Sequence, residues 1–375
     1  MFDALNLKPE TFGLDISDSS LKIVKLKKKK KFFGLASFGE TEIKSGVISG
    51  GEIKDEKELT RLIKAAVDSV KGEKLKTKYV IASLPEEKSF LQVIQLPKMK
   101  EEELEKVVHF EAENYVPLPI DQVYLDFQIV QSLYNHLDHL DILITALPKK
   151  TVDPYLSCLK GAGLRPLAFE IESQAIARSL VKNEISPFPL LLMDLGATRT
   201  SFIIFSGYSL KFTSSIPVSS KNFTEAISNN LKINLEEAEK LKKKYGLEDM
   251  ARLKMYNGIK AISKNEEIFE SLVPSLTDLI GQIKKYSDYY QTHSPHEHLP
   301  PGSKGIKKIL LSGGGANLKG LASFLSSGLR IPVELANPWI NILPKNKKEV
   351  PQLSFENSLS FTTALGLALR GAKDN

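Results

Sequence analysis

Two short stretches carry the same chemistry: Asp15-Ile16-Ser17-Asp18-Ser19-Ser20-Leu21-Lys22 and Asp194-Leu195-Gly196-Ala197-Thr198-Arg199-Thr200. Each opens on an aspartate that ends an apolar run, Phe12 to Leu14 in the first and Leu190 to Met193 in the second. Each then turns through small or hydroxylated residues and leaves on another apolar run, Leu21 to Leu26 or Ser201 to Phe205, which is the pattern of strand, tight turn and strand. Turn N–H groups and hydroxyls suit phosphate oxygens, and a carboxylate ahead of each turn orients a hydrated Mg²⁺ that offsets phosphate charge. The duplication points to one triphosphate held between two halves. Each aspartate also has a plainer reading as a residue that caps its own turn.

A third element joins them. Ile306 to Leu311 reads as a strand that breaks into Ser312-Gly313-Gly314-Gly315-Ala316-Asn317, with a helical pattern from Leu318 to Leu325. Successive glycines tolerate positive φ and let backbone pass close to a flat ligand, and Asn317 suits the N-cap of the following helix. Gly313, Gly314 and Gly315 are either a simple turn or, in company with the aspartate hairpins, the wall beside an adenine. By contrast, His293, His296 and His298 sit among prolines with no acid or thiol cluster, which suits a polar loop better than a metal site.

These residues need a substantial scaffold. At 375 residues the chain exceeds the size of a single core, so two or more subdomains are expected. Apolar content of 42% with 26% charged residues fits a folded, water-exposed protein, and no apolar run approaches the ~20 residues of a membrane helix. No secretory signal is visible, and the lone Cys158, on an apolar helical stretch, suits a reducing cytoplasm. The net charge of +6 is concentrated in Lys25 and Lys27 to Lys31, which read as a basic hairpin tip. That tip is either solvated or in contact with anionic lipid headgroups. Phe32 and Phe33 follow the lysines without interleaving, which argues against nucleic acid.

Along the chain, Phe32 to Ile43 reads as one or two strands, Gly46 to Gly51 as a turn and Asp55 to Val70 as an amphipathic helix. Tyr79 to Leu84 and Phe90 to Leu96 are strand-like. A helix follows over Glu101 to Tyr115 on Leu104, Val107, Val108 and Tyr115, bracketed by Pro97 and Pro117 in a way that suits a partner site. Tyr124 to Val130 and Leu140 to Ala146 are further strands, and Val152 to Leu159 is a helix, so 89–166 reads as a β-α-β-β-α insert. Leu167 to Ile171 is a strand, Ser173 to Val181 a helix, and Lys182 to Pro189 a boundary. Farther on, Leu235 to Tyr245 is helical, and a long helix carries Ile268, Leu272, Leu276, Leu279, Ile283 and Tyr286, with Pro274 expected to kink or break it. Leu359 to Leu369 reads as a packed terminal helix.

In this order the elements resemble the actin-like ATPase superfamily, and within it the PilM family of type IV pilus assembly proteins, with the cell-division protein FtsA as a relative. The stretches that carry the resemblance to PilM are Gly13 to Lys22, Gln95-Leu96-Pro97-Lys98-Met99 with Glu103-Leu104 and Phe110 to Pro117, and Asp194-Leu195-Gly196-Ala197. The resemblance implies an α/β, actin-like ATPase fold: two α/β halves around a nucleotide cleft, with the inserted β-α-β-β-α subdomain. Residues 1–88 and 167–186 would form the first half, 89–166 the partner-binding insert, and 187–375 the second half, with about 230–300 its helical outer part.

For the ligands, ATP and Mg²⁺, the resemblance implies that Asp15 and Asp194 hold the metal through water. Ser17, Ser19, Ser20 and Lys22 would contact phosphates from one side, and Gly196, Ala197 and Thr198 from the other. Gln282 and Lys285 fall at a ribose-contacting pattern in which an acid and an arginine are more usual. Glu172 matches a water-orienting catalytic position, or is an acid favoured at a helix N-terminus. Ser17 stands where the first loop usually has glycine, and Asp18 adds an anion there. ATP binding with slow hydrolysis at most is therefore the expectation. The implied role is a cytoplasmic scaffold, peripheral to the inner membrane, that binds the cytoplasmic N-terminus of a PilN-like protein and other pilus platform components in a nucleotide-dependent way. A small-molecule kinase of the same superfamily lacks an acidic base for a substrate hydroxyl. An FtsA-like filament is disfavoured by a C-terminus, Gly371 to Asn375, without an amphipathic anchor.

Overall fold

A computed structural model of the chain describes residues 9–30, 32–131, 133, 138–247, 264–293, 304–344 and 352–373. Two compact units emerge. The first comprises the described residues of Met1–Pro187, Ile203–Ser214 and Asn337–Asn375, the second those of Phe188–Phe202 and Ser215–Ala336.

In the first unit, β1 (Phe12–Ile16), β2 (Ser20–Lys29) and β3 (Phe32–Glu42) form an antiparallel meander. The short β4 (Ile48–Ser49) and β5 (Glu52–Ile53) make a hairpin of their own. Next come α1 (Glu56–Asp68), β6 (Lys71–Gly72) and β7 (Tyr79–Leu84). With β11 (Arg165–Ile171) these build a six-stranded sheet in the order β11-β7-β1-β2-β3-β6, in which β1 and β11 run parallel to β7. β1 is a continuous buried run, as a central strand covered on both faces must be. Helix α1 starts on Asp55, whose carboxylate accepts the Glu58 N–H, and buries Leu59, Leu62, Ile63 and Ala66 on one face.

The insert is β8 (Phe90–Pro97), α2 (Glu101–Ala112), β9 (Val123–Val130), β10 (His139–Pro148) and α3 (Lys149–Gly161). Its sheet has the order β8-β10-β9, so β9 is an edge strand. Leu104, Val108 and Ala112 of α2 pack with Ile142, Ile144 and Ala146 on one face of β10. Alternation along the strand turns Leu143, Thr145 and Leu147 to the opposite face. The helix ends three residues before the expected Tyr115, which is 45% exposed, because Val116 takes the buried place and donates its N–H to the Ala112 carbonyl.

Chain order continues with α4 (Glu172–Leu180), β12 (Ser186–Leu195), β13 (Thr200–Gly207) and β14 (Ser209–Ile216). The second unit holds α5 (Ser220–Leu231), α6 (Leu235–Tyr245), α7 (Lys264–His293), β15 (Lys308–Ser312), α8 (Leu321–Leu329) and β16 (Val333–Leu335). Its sheet has the order β14-β13-β12-β15-β16, and the outer part of the β13–β14 hairpin, 203–214, groups with the first unit. Helix α7 runs through Pro274 without the break that the proline could mark, with Ile268, Leu272, Leu276, Leu279 and Ile283 fully buried. A stripe this continuous outweighs the cost of one proline. Asn317 also differs from expectation: it ends a short 3-10 turn, Gly314–Asn317, and Gly320 in the left-handed region opens α8. Two helices, α9 (Phe355–Leu359) and α10 (Thr362–Lys373), return to the first unit. Gly366 lets α10 lie against Ala175 of α4, where a Cβ would meet the Ala175 carbonyl at 1.9 Å.

Candidate nucleotide and partner sites

The first candidate turn joins β1 and β2. Asp15 is 6% exposed, pairs across the strands with Lys22, and accepts a hydrogen bond from the Ser83 hydroxyl at 3.1 Å. That hydroxyl in turn accepts the Ile16 N–H at 2.8 Å. Burial holds the Asp15 carboxyl above its ordinary range, while the Lys22 ammonium and Ser83 pull the other way. Ser17 closes the turn: its N–H and hydroxyl donate to the Ser20 carbonyl, and its oxygen accepts the Ser20 N–H. Its φ is not positive, so the turn accepts a residue other than glycine here without strain. Lys22 donates to the Ser20 hydroxyl and pairs with Glu40 at 3.5 Å. Ser19 is half-buried beside them.

Asp18, the added anion of this loop, is held by hydrogen bonds. Its two carboxylate oxygens accept the N–H groups of Gly50 and Gly51 at 2.8 and 3.0 Å, which fastens the β4–β5 turn to the β1–β2 turn. Tyr155 of α3 donates to the Gly51 carbonyl at 3.1 Å. Burial first, and then the Glu172, Glu87 and Asp18 carboxylates, push its hydroxyl far up. Glu172, half-buried at the start of α4, therefore lies in the same unit and within electrostatic reach of the turn that Asp18 holds. One residue on, the Ser173 N–H donates to the buried Glu86 carboxyl at 3.1 Å. Burial raises the Glu86 carboxyl, opposed by hydrogen bonds at Ser173 and Thr213.

A second aspartate turn of the same design lies in the other unit. Asp194, one residue before the end of β12, accepts the Ser312 hydroxyl from parallel β15 at 2.7 Å. The loop is closed by the Gly196 N–H on the Arg199 carbonyl, and the Gly196 and Ala197 carbonyls accept the Ser220 and Lys221 N–H groups at the start of α5. Ala197 and Thr198 are exposed. Gly313, at φ +82°, and Gly315 are needed for packing: a Cβ would meet the Leu195 carbonyl at 2.4 Å or its side chain at 2.6 Å. Of the three glycines only Gly314 is exposed. On α7, Gln282 donates to Asp278, one turn earlier, and the exposed Lys285 lies over Tyr286, whose ring rests 5.3 Å from that of Phe202 on β13.

The structure thus gathers Asp15, Ser17, Ser19, Ser20 and Lys22 in one turn, and Asp194, Gly196, Ala197 and Thr198 beside the glycine turn of Gly313 to Gly315. Ser83 and Ser312, which hold the two aspartates, escaped sequence reading because each comes from a neighbouring strand distant in the chain. Taken by itself, the β1–β2 turn, with the buried Asp15 carboxyl and the hydroxyls of Ser17, Ser19 and Ser20, has the chemistry to hold a hydrated cation and phosphate oxygens. Among the described residues no group of three or more His, Cys, Asp or Glu forms a direct metal cluster, and His296 and His298 lie outside those residues.

A separate groove lies in the first unit, on the face of the insert sheet opposite α2. One cavity of about 340 Å³ is bounded by Tyr124 and Leu125 of β9, Leu147 of β10, Leu156 of α3, Phe169 of β11 and Gln174 of α4. An adjoining cavity of about 420 Å³ includes Leu143, Glu170, Arg178, Tyr208, Leu210 and Arg370. Its floor is charged: the buried Glu170 receives both guanidinium nitrogens of Arg178, with Arg370 at 3.5 Å.

A pair of aspartate turns on two α/β units, with a β-α-β-β-α insert, defines an actin-like ATPase fold. A family model described as type IV pilus assembly protein PilM matches residues 13–372, and the chain belongs to that family. Its structure is similar to that of a PilM–PilN type IV pilus biogenesis complex, with 27% identity, 97% of this chain and 99% of that one covered, and a TM-score of 0.77. MreB5 of Spiroplasma citri bound to AMPPNP shares the fold at 14% identity, 97% coverage of each chain and a TM-score of 0.55. The cell-division protein FtsA of Bacillus subtilis (strain 168) is 23% identical over 254 residues, 61% of this chain. The chain spans about half the length, 54%, of that curated relative. Among the described residues no helix is long and apolar enough to cross a membrane.

Proposed function

We propose that this chain is an ATP-binding scaffold of the type IV pilus assembly platform, cytoplasmic and peripheral to the inner membrane, that captures the N-terminal cytoplasmic peptide of a PilN-like protein. The observation that carries the reading is the groove: an apolar cavity beside the open edge of β9, in a chain whose near full-length structural relative is a PilM–PilN complex. An extended peptide would pair with β9 and bury apolar side chains against Leu147, Leu156 and Phe169. The Glu170, Arg178 and Arg370 floor would orient its polar groups.

ATP with Mg²⁺ is the proposed ligand of the aspartate turns. Asp15 and Asp194 would orient the hydrated metal, the Ser17–Lys22 and Gly196–Thr198 turns would contact phosphates, and Gly314, Gln282 and Lys285 would contact the nucleoside. The metal would offset phosphate charge. Glu172 would orient water for a slow hydrolysis. Binding of synthetic PilN-like N-terminal peptides, followed by calorimetry, tests the reading. Gln174→Trp, which fills the apolar cavity, should weaken binding at least ~tenfold, whereas Asn114→Ala, at an exposed residue just past α2, should leave it unchanged. A peptide that binds the Gln174→Trp protein as tightly as the unaltered one overturns the assignment.

A further inference from the structure

The six-stranded sheet has two unlike ends. β1, β7 and β11 finish at Ile16, Leu84 and Ile171, on the side of the aspartate turn and of Glu86 and Glu172. At the other end β11, β7, β1 and β3 begin and β2 finishes, as the pairs Arg165 with Tyr79, Phe12 with Val80 and Lys29 with Phe32 establish. Five strand termini side by side span about 20 Å.

That end is basic. Lys27, Lys28 and Lys30 on the hairpin are exposed, and Gly34 lets the Lys29 stem lie flat across the strand. Strand β6 pairs with Ser37 and Phe38 of β3 and leads Lys74, Lys76 and Lys78, all exposed, to the same end. Lys27 pairs with Glu73 and Thr77 donates to the Glu10 carbonyl, which joins the two segments into one surface. Beyond them lies a shallow cavity of about 720 Å³ lined by Lys78, Lys160 and Arg165 with Leu156, Leu164 and Pro166. Residues 25–31 and 71–78 hold ten of the chain's 51 Lys and Arg but one of its 45 Asp and Glu. The remainder, at 41 bases to 44 acids, is slightly acidic, so the chain's positive charge is a property of this end.

We propose that this end is a docking face for an anionic phospholipid bilayer. A broad row of exposed lysines, spaced within a Debye length of ~10 Å, matches a plane of headgroup charge. Ammonium groups act as point charges, without the forked geometry of repeated arginines, and need no fixed ligand orientation. Cations around Leu156 and Leu164 give a headgroup phosphate a polar site with apolar flanks. A nucleic-acid surface would present stacking platforms, but Phe32 and Phe33 are half-buried and Phe33 packs against the Trp339–Ile342 cluster. The inference stands apart from peptide capture, since bare vesicles carry no peptide.

Flotation of the full chain with vesicles of phosphatidylglycerol and phosphatidylcholine in equal parts tests it. Wild type should float with these vesicles, not with pure phosphatidylcholine, and should be released at ~0.5 M salt. The variant Lys28→Gln/Lys30→Gln/Lys74→Gln/Lys76→Gln should lose binding by two orders of magnitude or more (~fivefold for each charge). Lys160→Gln/Arg165→Gln should lose on the order of tenfold. The control Lys232→Gln/Lys264→Gln/Lys284→Gln/Lys304→Gln, with the same change in net charge, should float as wild type. Absence of wild-type binding, or equal loss in the control, overturns the proposal. Tighter binding to a short duplex DNA than to the vesicles also overturns it and assigns the face to nucleic acid.

Discussion

The aspartate of each turn is steadied by a serine from the parallel strand beside it: Ser83 for Asp15 and Ser312 for Asp194. Saturating Mg-ATP at a hundred times its dissociation constant should stabilise the protein by ~2.7 kcal/mol, and Asp194→Ala should remove most of that gain because the hydrated metal loses an anionic anchor. Melting curves with and without Mg-ATP measure it. Glu86 supplies a pH test. Its ordinary value of 4.5 is raised by burial, so between that value and the raised one the native state keeps a proton that the unfolded chain has released. Stability attributable to Glu86 is therefore lost as pH rises through that window. Glu86→Gln keeps an acceptor for the Ser173 N–H and has no proton to lose, so its stability relative to wild type should grow as pH rises from ~4 to ~8. A difference that stays flat with pH would count against a native-state proton on Glu86. At this scale Asp15 and Asp194 were legible from local pattern, whereas Asp18 was not. Its partners, the Gly50 and Gly51 N–H groups, are supplied by another hairpin, and no local pattern announces that.

Among the elements, those with a strong period were legible: α1 on its Leu59, Leu62, Ile63 and Ala66 stripe, the insert strands by alternation, and α10 as an almost wholly buried helix. Sequence reading failed where tertiary packing overrode a local rule. Pro274, exposed on α7, removes one intrahelical hydrogen bond without ending the helix, because buried residues on both sides of it pack the helix down. Pro274→Ala should accordingly raise stability by ~1–3 kcal/mol, read as a higher melting temperature with unchanged helical content by circular dichroism. The opposite sign is expected at Gly366. A methyl there would collide with the Ala175 carbonyl, backbone that cannot yield without moving α4, so Gly366→Ala should cost ~3 kcal/mol or more. Glu172 begins that same helix, so any surviving folded fraction should also show weaker ATP binding.

For the molecule as a whole, the decisive question is whether the turns proposed to bind ATP and the groove proposed to take the peptide are energetically linked. Strand β13 starts at the Thr198–Thr200 turn and reaches Phe205, which lines the charged cavity together with Tyr208 and Leu210 of the same hairpin. A ligand that reorders the turn thus acts on a strand whose far end bounds the groove. Linkage demands reciprocity: if Mg-ATP tightens peptide binding by some factor, the peptide must tighten Mg-ATP by the same factor, on the order of 5–150-fold for ordinary coupling energies. Calorimetric titration of each ligand with and without the other should return matching factors. Thr200→Val, which deletes the hydroxyl that holds this turn to the Val218 carbonyl at 2.6 Å, should lower both together. Phosphate release completes the test, since a conformational ligand need not be consumed. Turnover well below the ~10 s⁻¹ of a typical enzyme, lowered further by Glu172→Ala while peptide coupling persists, fits a scaffold that reads ATP. Fast hydrolysis that Glu172→Ala abolishes together with the coupling would instead make the cycle itself, and not occupancy, the signal passed to the partner.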